Sequence, residues 1–179
     1  MSRVVLSIGS NMGDRLARLQ SVIDGLEPSV VSISPVFETD AWGGVEQDAF
    51  LNAVVIADDP DLDARAWLLR GQELERDNHR VRDTKWGPRT LDVDVVSCRE
   101  SGEDGDDGEV VSDDPVLTLP HPLAHQRAFV LIPWLAADPD AQLLLDGRRR
   151  PVLELIEALD PADRSGVRRT ALTLQRRSR

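Results

Sequence analysis

The chain predicts an α+β fold of the ferredoxin-like βαββαβ type. In it an antiparallel sheet carries helices on one face, with a further strand and helices added C-terminally. Three observations predict this. An apolar run at the N-terminus leads at once into a segment with helical spacing. A second strand-like run, Phe50–Ala57, is again followed by a helical segment. An alternating run, Thr90–Ser97, closes the pattern, so the order strand–helix–strand–strand–helix–strand is that of the split βαβ motif.

Arg3–Ile8 reads as a buried first strand, and Gly9–Asp14 as a tight turn that ends on a helix N-cap, Asp14. The turn lacks the Lys and the spacing of a Walker-type phosphate loop. Arg15–Leu26 places Leu16, Leu19, Val22, Ile23 and Leu26 on one helical face. Pro28 ends that helix, Val30–Ile33 is a second strand, and Pro35–Thr39 continues it past a bend. Asp40–Asp48 is a Gly-Gly loop, and Phe50–Ala57 a strand with Asn52 as its odd polar member. Asp63–Asp77 is the second helix. Arg99–Asp114, rich in Gly and acids, reads as a mobile loop. Val116–Leu119 is a strand, His125–Ala137 a helix broken at Pro133, and Val152–Leu159 a last helix. The domain is expected to span 1–163, with the acidic loop 99–114 inserted and 164–179 a loosely ordered tail of six Arg and no acid.

Composition narrows the function. Apolar residues make up 41% of the 179, enough for one globular domain. The net charge of -11 argues against a nucleic-acid partner. It leaves room for a local basic patch, and Arg76–Arg89 is one, with five cations against two acids. A single cysteine, Cys98, excludes an intrachain disulfide and a Cys-based zinc site, which suits a cytoplasmic protein. No signal-peptide pattern opens the chain, and Phe129–Ala137 is too short to span a membrane.

The chemistry concentrates in Arg80–Val96. Asp92 and Asp94 lie two apart among Leu91, Val93, Val95 and Val96. Two apart on a strand means one face, so the apolar residues enter the core while both carboxylates point outward together. Two adjacent anions repel, and a shared hard cation resolves the repulsion, since Mg²⁺ is held by one or two carboxylates plus substrate phosphates. Arg80, Arg82, Lys85 and Arg89 just before them suit a polyphosphate. A solvated charged face is the plainer reading of each group alone; together they predict a Mg²⁺–nucleotide site. Two of the seven aromatic residues, Trp42 and Trp86, fall in loops, as expected for stacking on a planar ligand. Asn52 in an apolar strand needs partners that a flat heterocycle supplies.

Gly9–Asp14, Phe50-Leu51-Asn52-Ala53, Arg80-Val81-Arg82, Trp86–Asp94, and Leu119–Pro122 with Arg127–Leu131 occur in the order seen in 6-hydroxymethyl-7,8-dihydropterin pyrophosphokinases. The chain resembles that family over about Val4 to Pro139. The resemblance implies a ferredoxin-like fold and transfer of diphosphate from ATP to the pterin hydroxymethyl group, with release of AMP, in folate biosynthesis. It implies that Asp92 and Asp94 hold two Mg²⁺ ions and that Arg80 and Arg89, on moving loops, stabilise the transferred group. Gln72, Glu75, Arg82, Lys85, Trp86, Val95, Thr118, His121 and Arg127 would bind ATP. The pterin would stack between Phe50 and Phe129, with Thr39, Asp40, Trp42 and Asn52 around its edges. Phe50 stands where Tyr is frequent, Asp40 where Pro is common after the Thr, and His79 replaces the usual Gly before Arg80.

ATP and the pterin are thus the expected partners, for a chain expected to act as a monomer. Two other readings use the same residues. A regulatory module would bind a nucleotide without turning it over, leaving the acid pair and Arg89 without a task. A Mg²⁺-dependent nucleotidyltransferase would release pyrophosphate instead of AMP. Pairing between the acidic loop and the Arg-rich tail is a further expectation.

Overall fold

A computed structural model of the chain describes residues 1–40, 47–78, 90–101 and 107–177. β1 (Ser2–Ser10) runs through the middle of the sheet, buried at every position but Arg3. At the turn after it Gly13 takes φ +67°, a conformation glycine adopts freely. Asp14 Oδ1 then accepts the Ala17 N–H at 3.0 Å and starts α1 (Arg15–Leu26). Leu19, Val22, Ile23 and Leu26 form the buried face of that helix, as the spacing predicts. β2 (Val30–Ile33) and β3 (Phe37–Thr39) both pair with β4 (Phe50–Asp59). Asp63 caps α2 (Ala64–Asp77) through Ala66 N at 2.7 Å. β5 (Asp92–Ser101) returns along β1, and β6 (Asp107–Glu109) pairs with its end.

β7 (Ser112–Asp114) and β8 (Leu117–Leu119) make a separate hairpin. A 3₁₀ turn, Ala124–Gln126, precedes α3 (Ala128–Ala137). β9 (Gln142–Leu145) and β10 (Arg148–Pro151) form another hairpin. α4 (Val152–Glu157), α5 (Pro161–Ser165) and β11 (Val167–Arg169) complete the chain. The main sheet is antiparallel, in the order β11–β3–β4–β1–β5–β6, with β2 also on β4.

The two helices of the βαββαβ order, α1 and α2, cover one face of this sheet, and the added α3 and α4 cover the other. β4 is an unbroken buried run, and its odd and even residues each face a core. Ala53, Val55 and Ala57 join Val4, Leu6 and Ile8 beneath α1 and α2. Val54 and Ile56 join Val5, Val130, Leu131, Trp134 and Val152 beneath α3 and α4. A bulge in β5 adjusts the faces: Leu6 pairs with Val95 and Val5 with Ser97, leaving Val96 as the extra residue. Val95 faces α1 and α2 and Val96 faces α3, and past the bulge Cys98 again enters the core beneath α1 and α2.

Four expectations differ from the structure. The acidic stretch 99–114 is mostly strand in its described part, because β5 extends to Ser101 and pairs with β6. Pro133 lies inside α3 without ending it; its ring is buried between Leu131 and Trp134 in a helix apolar all round. The tail is packed: Leu174 is buried in the core and Gln175 N donates to Gln20 Oε1 at 2.9 Å. Among the described residues the tail arginines bond elsewhere than to the acidic stretch: Arg177 to Asp24 at 2.9 Å and Arg176 to Glu27 at 3.3 Å, on α1 and its C-terminal end, and Arg168 to Asp40 at 3.0 Å. Cys98 is buried, and burial pushes its thiol up to about 12, which removes it as a nucleophile at neutral pH.

Candidate functional site

The strand register brings the chemistry-bearing residues together. Gly9 of β1 pairs with Asn52 of β4 on one side and with Asp92 of β5 on the other. All three lie on the face covered by α3, since Ile8 and Val93 point into the opposite core. Two strand spacings separate Asn52 from Asp92, roughly 10 Å. Two residues along the strands, Val54, Ser7 and Asp94 form the next row on that face. The predicted alternation in β5 therefore holds: Leu91, Val93 and Val95 are buried and both carboxylates share the other face, partly exposed.

Gly9 has a specific role in this floor. A Cβ there would lie 2.5 Å from Asn52 Oδ1 and 3.5 Å from the Phe50 ring. Only a residue without a side chain lets Asn52 occupy this place. Asn52 is itself buried and donates through Nδ2 to Thr39 Oγ1 at 2.6 Å, so two strands hold one polar pair in place. Phe129, at the start of α3, is half-buried across a cavity of about 230 Å³ that Thr39, Asp40 and Arg127 also line.

Arg127 ties the two halves. It is the residue before α3, and its carbonyl accepts from Val130 and Leu131 N–H, both at 3.0 Å. Its guanidinium is 3.6 Å from Asp94 Oδ2 and its Cζ 5.5 Å from the centre of the Phe129 ring. A cation thus stands between the acid pair and the stacking face. His121 reaches the same region because its N–H donates to the carbonyl of Val96, the bulged residue, at 2.8 Å. Its Nδ1 accepts from Leu123 N at 3.1 Å, which assigns the ring proton to Nε2. Burial, reinforced by Arg127 and opposed by Asp92, lowers His121 to about 4. It is a neutral donor at neutral pH.

Glu75 and Val95 are both buried. Val95 is in the core with Leu6. Glu75, buried on α2, accepts the Val93 N–H at 2.9 Å through Oε1. It thereby fixes the edge of β5 between the two aspartates, where no described strand pairs. Gly71, one turn earlier, makes the fit possible, since a Cβ there would touch Val93 Cγ1 at 3.0 Å. Gln72 is half-buried on the same helix, and Thr118 Oγ1 donates to Asp114 O at 3.0 Å within the β7–β8 hairpin. The Gly9–Asp14 turn also acts beyond its own geometry: Asn11 Nδ2 donates to Gln47 Oε1 at 2.9 Å and Asp48 O at 3.0 Å, and the adjoining Arg15 to Ala49 O at 2.9 Å. Trp42, His79, Arg80, Arg82, Lys85, Trp86 and Arg89 lie outside the described residues.

No group of three His, Cys, Asp or Glu side chains among the described residues converges as a metal cage. What β5 offers is two hard carboxylates at a partly exposed surface. That donor set fits Mg²⁺, which takes one or two carboxylates and completes its shell with water and phosphate oxygens.

A family model described as 7,8-dihydro-6-hydroxymethylpterin-pyrophosphokinase (HPPK) matches residues 5–139. The 2-amino-4-hydroxy-6-hydroxymethyldihydropteridine pyrophosphokinase of Mycobacterium tuberculosis is 58% identical over 168 residues, 94% of this chain and 89% of that protein. The enzyme of the same name from Mycobacterium leprae is 58% identical over 176 residues, 98% of this chain and 92% of its own. That of Pseudomonas aeruginosa is 36% identical over 157 residues, 86% of this chain and 90% of its own. A Plasmodium falciparum HPPK-DHPS crystal structure shares the fold at a TM-score of 0.63 and 12% identity. The match covers 94% of this chain and 47% of that one, so the chain spans about half the length of that protein.

Proposed function

Since the chain belongs to the 7,8-dihydro-6-hydroxymethylpterin-pyrophosphokinase family, we propose an assignment of its residues to that family's reaction. The chain transfers the diphosphate of ATP to the hydroxymethyl group of 6-hydroxymethyl-7,8-dihydropterin and releases AMP, a step in folate biosynthesis. In that transfer the pterin hydroxyl oxygen bonds to the β-phosphorus, the bond from that phosphorus to the α,β-bridging oxygen breaks, and the hydroxyl proton is lost. Positioning and neutralisation of phosphate charge supply most of the catalysis.

The observation that carries the residue assignment is the row Asn52–Gly9–Asp92. It sets a heterocycle-reading amide and a carboxylate about 10 Å apart over a bare glycine floor. Asn52 and Thr39 read the pterin edge, Phe50 and Phe129 hold its faces, and Asp40 and Trp42 border it. Asp92 and Asp94 would hold Mg²⁺, two ions by the family resemblance, which when bound would neutralise the phosphates and orient the acceptor oxygen. Arg127 and neutral His121 donate to the phosphate chain from the α3 side. Gln72, Glu75, Val95 and Thr118 flank the β5 edge where the nucleotide lies, Glu75 and Val95 by shaping the strand. Arg82, Lys85 and Trp86 complete the ATP site, with Arg80 and Arg89 on the transferred group.

The βαββαβ order and the sheet order β3–β4–β1–β5 support the ferredoxin-like description. The match over 5–139 supports a single catalytic domain, and the segment 164–179 belongs to it through β11 in the main sheet and Leu174 in the core. No described helix is long and apolar enough to cross a membrane. The single cysteine supports a cytoplasmic enzyme, the net charge of -11 supports one without a nucleic-acid partner, and action as a monomer is part of the same proposal. Phosphorus NMR of the products tests the reaction: AMP and a pterin diphosphate are expected. Pyrophosphate with a nucleotidyl-pterin would mark a nucleotidyltransferase and overturn it.

A further inference from the structure

We infer that the C-terminal segment 161–169 forms the outer wall of the pterin pocket, and that Arg168 is a positioning residue that acts through Asp40. The inference rests on the assignment of Thr39, Asn52 and Phe129 to the pterin.

β11 adds itself to the strand that carries Thr39, in the register Val167–Thr39, Arg168–Glu38 and Arg169–Phe37. The pairing continues past the strand: Asp40 N donates to Gly166 O at 3.3 Å, and Thr170 donates to Val36 O through N at 3.0 Å and Oγ1 at 2.8 Å. The segment is therefore laced to β3 along its length, and Leu174, a few residues on, anchors the chain in the core. On the α3 side the same segment closes the cavity of about 230 Å³. Phe129 and Arg127 line one side, Thr39 and Asp40 another, and Ala162, Gly166 and Val167 the third.

Arg168 governs the rim of that cavity. Its Nη2 is 3.0 Å from Asp40 Oδ1 and 3.7 Å from Glu38 Oε1. Two carboxylates two residues apart on one strand repel one another, and one guanidinium between them holds both. Asp40 directly follows Thr39, whose hydroxyl accepts from Asn52 at 2.6 Å. Release of Asp40 frees the end of β3, and with it the hydroxyl that aligns the pterin-reading amide. ATP, placed at the β5 side of the floor, does not depend on this edge.

Steady-state kinetics of the full chain test the inference, with pterin and ATP varied separately. Arg168→Ala is expected to raise the pterin KM about three- to fivefold, the scale an exposed ion pair supports. The ATP KM and kcat are expected to stay within about 1.5-fold. Arg168→Lys, which keeps one charge, is expected to recover most of the loss. Asn52→Ala serves as the control for the site and is expected to raise the pterin KM further. If Asn52→Ala raises it and Arg168→Ala does not, the role of Arg168 is overturned while the pterin site stands. If neither moves it, the site assignment fails and the inference with it. An equal loss in both KM values and in kcat, with a lower Tm, would reduce Arg168 to a structural brace and overturn the positioning role.

Discussion

Replacement of Gly9 by Ala tests the geometry of the floor. The added Cβ would sit 2.5 Å from Asn52 Oδ1, and real contacts begin above about 3.0 Å. The Asn52 amide must retreat by roughly half an ångström. It has little freedom to do so, being buried and bonded to Thr39 Oγ1 at 2.6 Å. A forced rotamer costs ~0.5–1.5 kcal/mol. A lost buried hydrogen bond costs ~1–3 kcal/mol. Gly9 has no left-handed φ, so the backbone itself accepts Ala and the whole effect comes from the Cβ. The variant should lose about 1–3 kcal/mol, a Tm fall of roughly 2–10 °C for a chain of this size. Calorimetric titration should show pterin affinity down about tenfold or more, because a polar pocket with a displaced partner rejects its ligand. ATP-analogue affinity should stay within about twofold. Pterin binding unchanged, with Tm within about 1 °C of the parent, would refute the placement of Asn52 against Gly9 as the pterin-reading edge.

Two further outcomes rest on single residues. Glu75→Ala leaves the buried Val93 N–H without its acceptor, so thermal denaturation should report a loss of ~1–3 kcal/mol. kcat should fall with it, because the strand between Asp92 and Asp94 loses its edge support; a variant as stable and active as the parent would contradict this. His121, lowered to about 4 by burial, stays neutral when folded while the unfolded chain takes up a proton near pH 6.5. Its contribution to stability is therefore complete above about pH 7 and lost as pH falls from about 6.5 to 4, up to ~3 kcal/mol. Urea midpoints should show that slope in the parent and a shallower one in His121→Gln; equal slopes would mean His121 is not the group responsible.

Much of this was legible in the sequence, for identifiable reasons. α1 and β2 begin and end where the Asp14 cap, the helical spacing and Pro28 place them, because those signals are local. The shared face of Asp92 and Asp94 comes from strict alternation with three buried neighbours. What escaped is tertiary. The bulge at Val96 leaves no local mark, yet it resets the alternation so that Cys98 enters the core beneath α1 and α2, and the Val96 carbonyl accepts from His121. Glu75 looks like any helical acid until α2 is set against Val93. One local signal was missed as well: Asp146-Gly147, with φ values of 51° and 75°, forms the two-residue turn of the β9–β10 hairpin. β11 has no apolar pattern of its own; its place comes from the open edge of β3 and the burial of Leu174. Gly9 reads as a turn residue, and its closeness to Asn52 appears only when strands from distant parts of the chain are aligned.

The acid pair is proposed as the floor on which ATP is held for transfer to the pterin. The most direct measurement is AMP release from ATP and 6-hydroxymethyl-7,8-dihydropterin by the parent, Asp92→Ala and Asp94→Ala, with the fold of each followed by circular dichroism. The prediction is AMP formation that requires the pterin in the parent, and a fall of about a hundredfold or more in each folded variant. Full AMP release by both variants would contradict it.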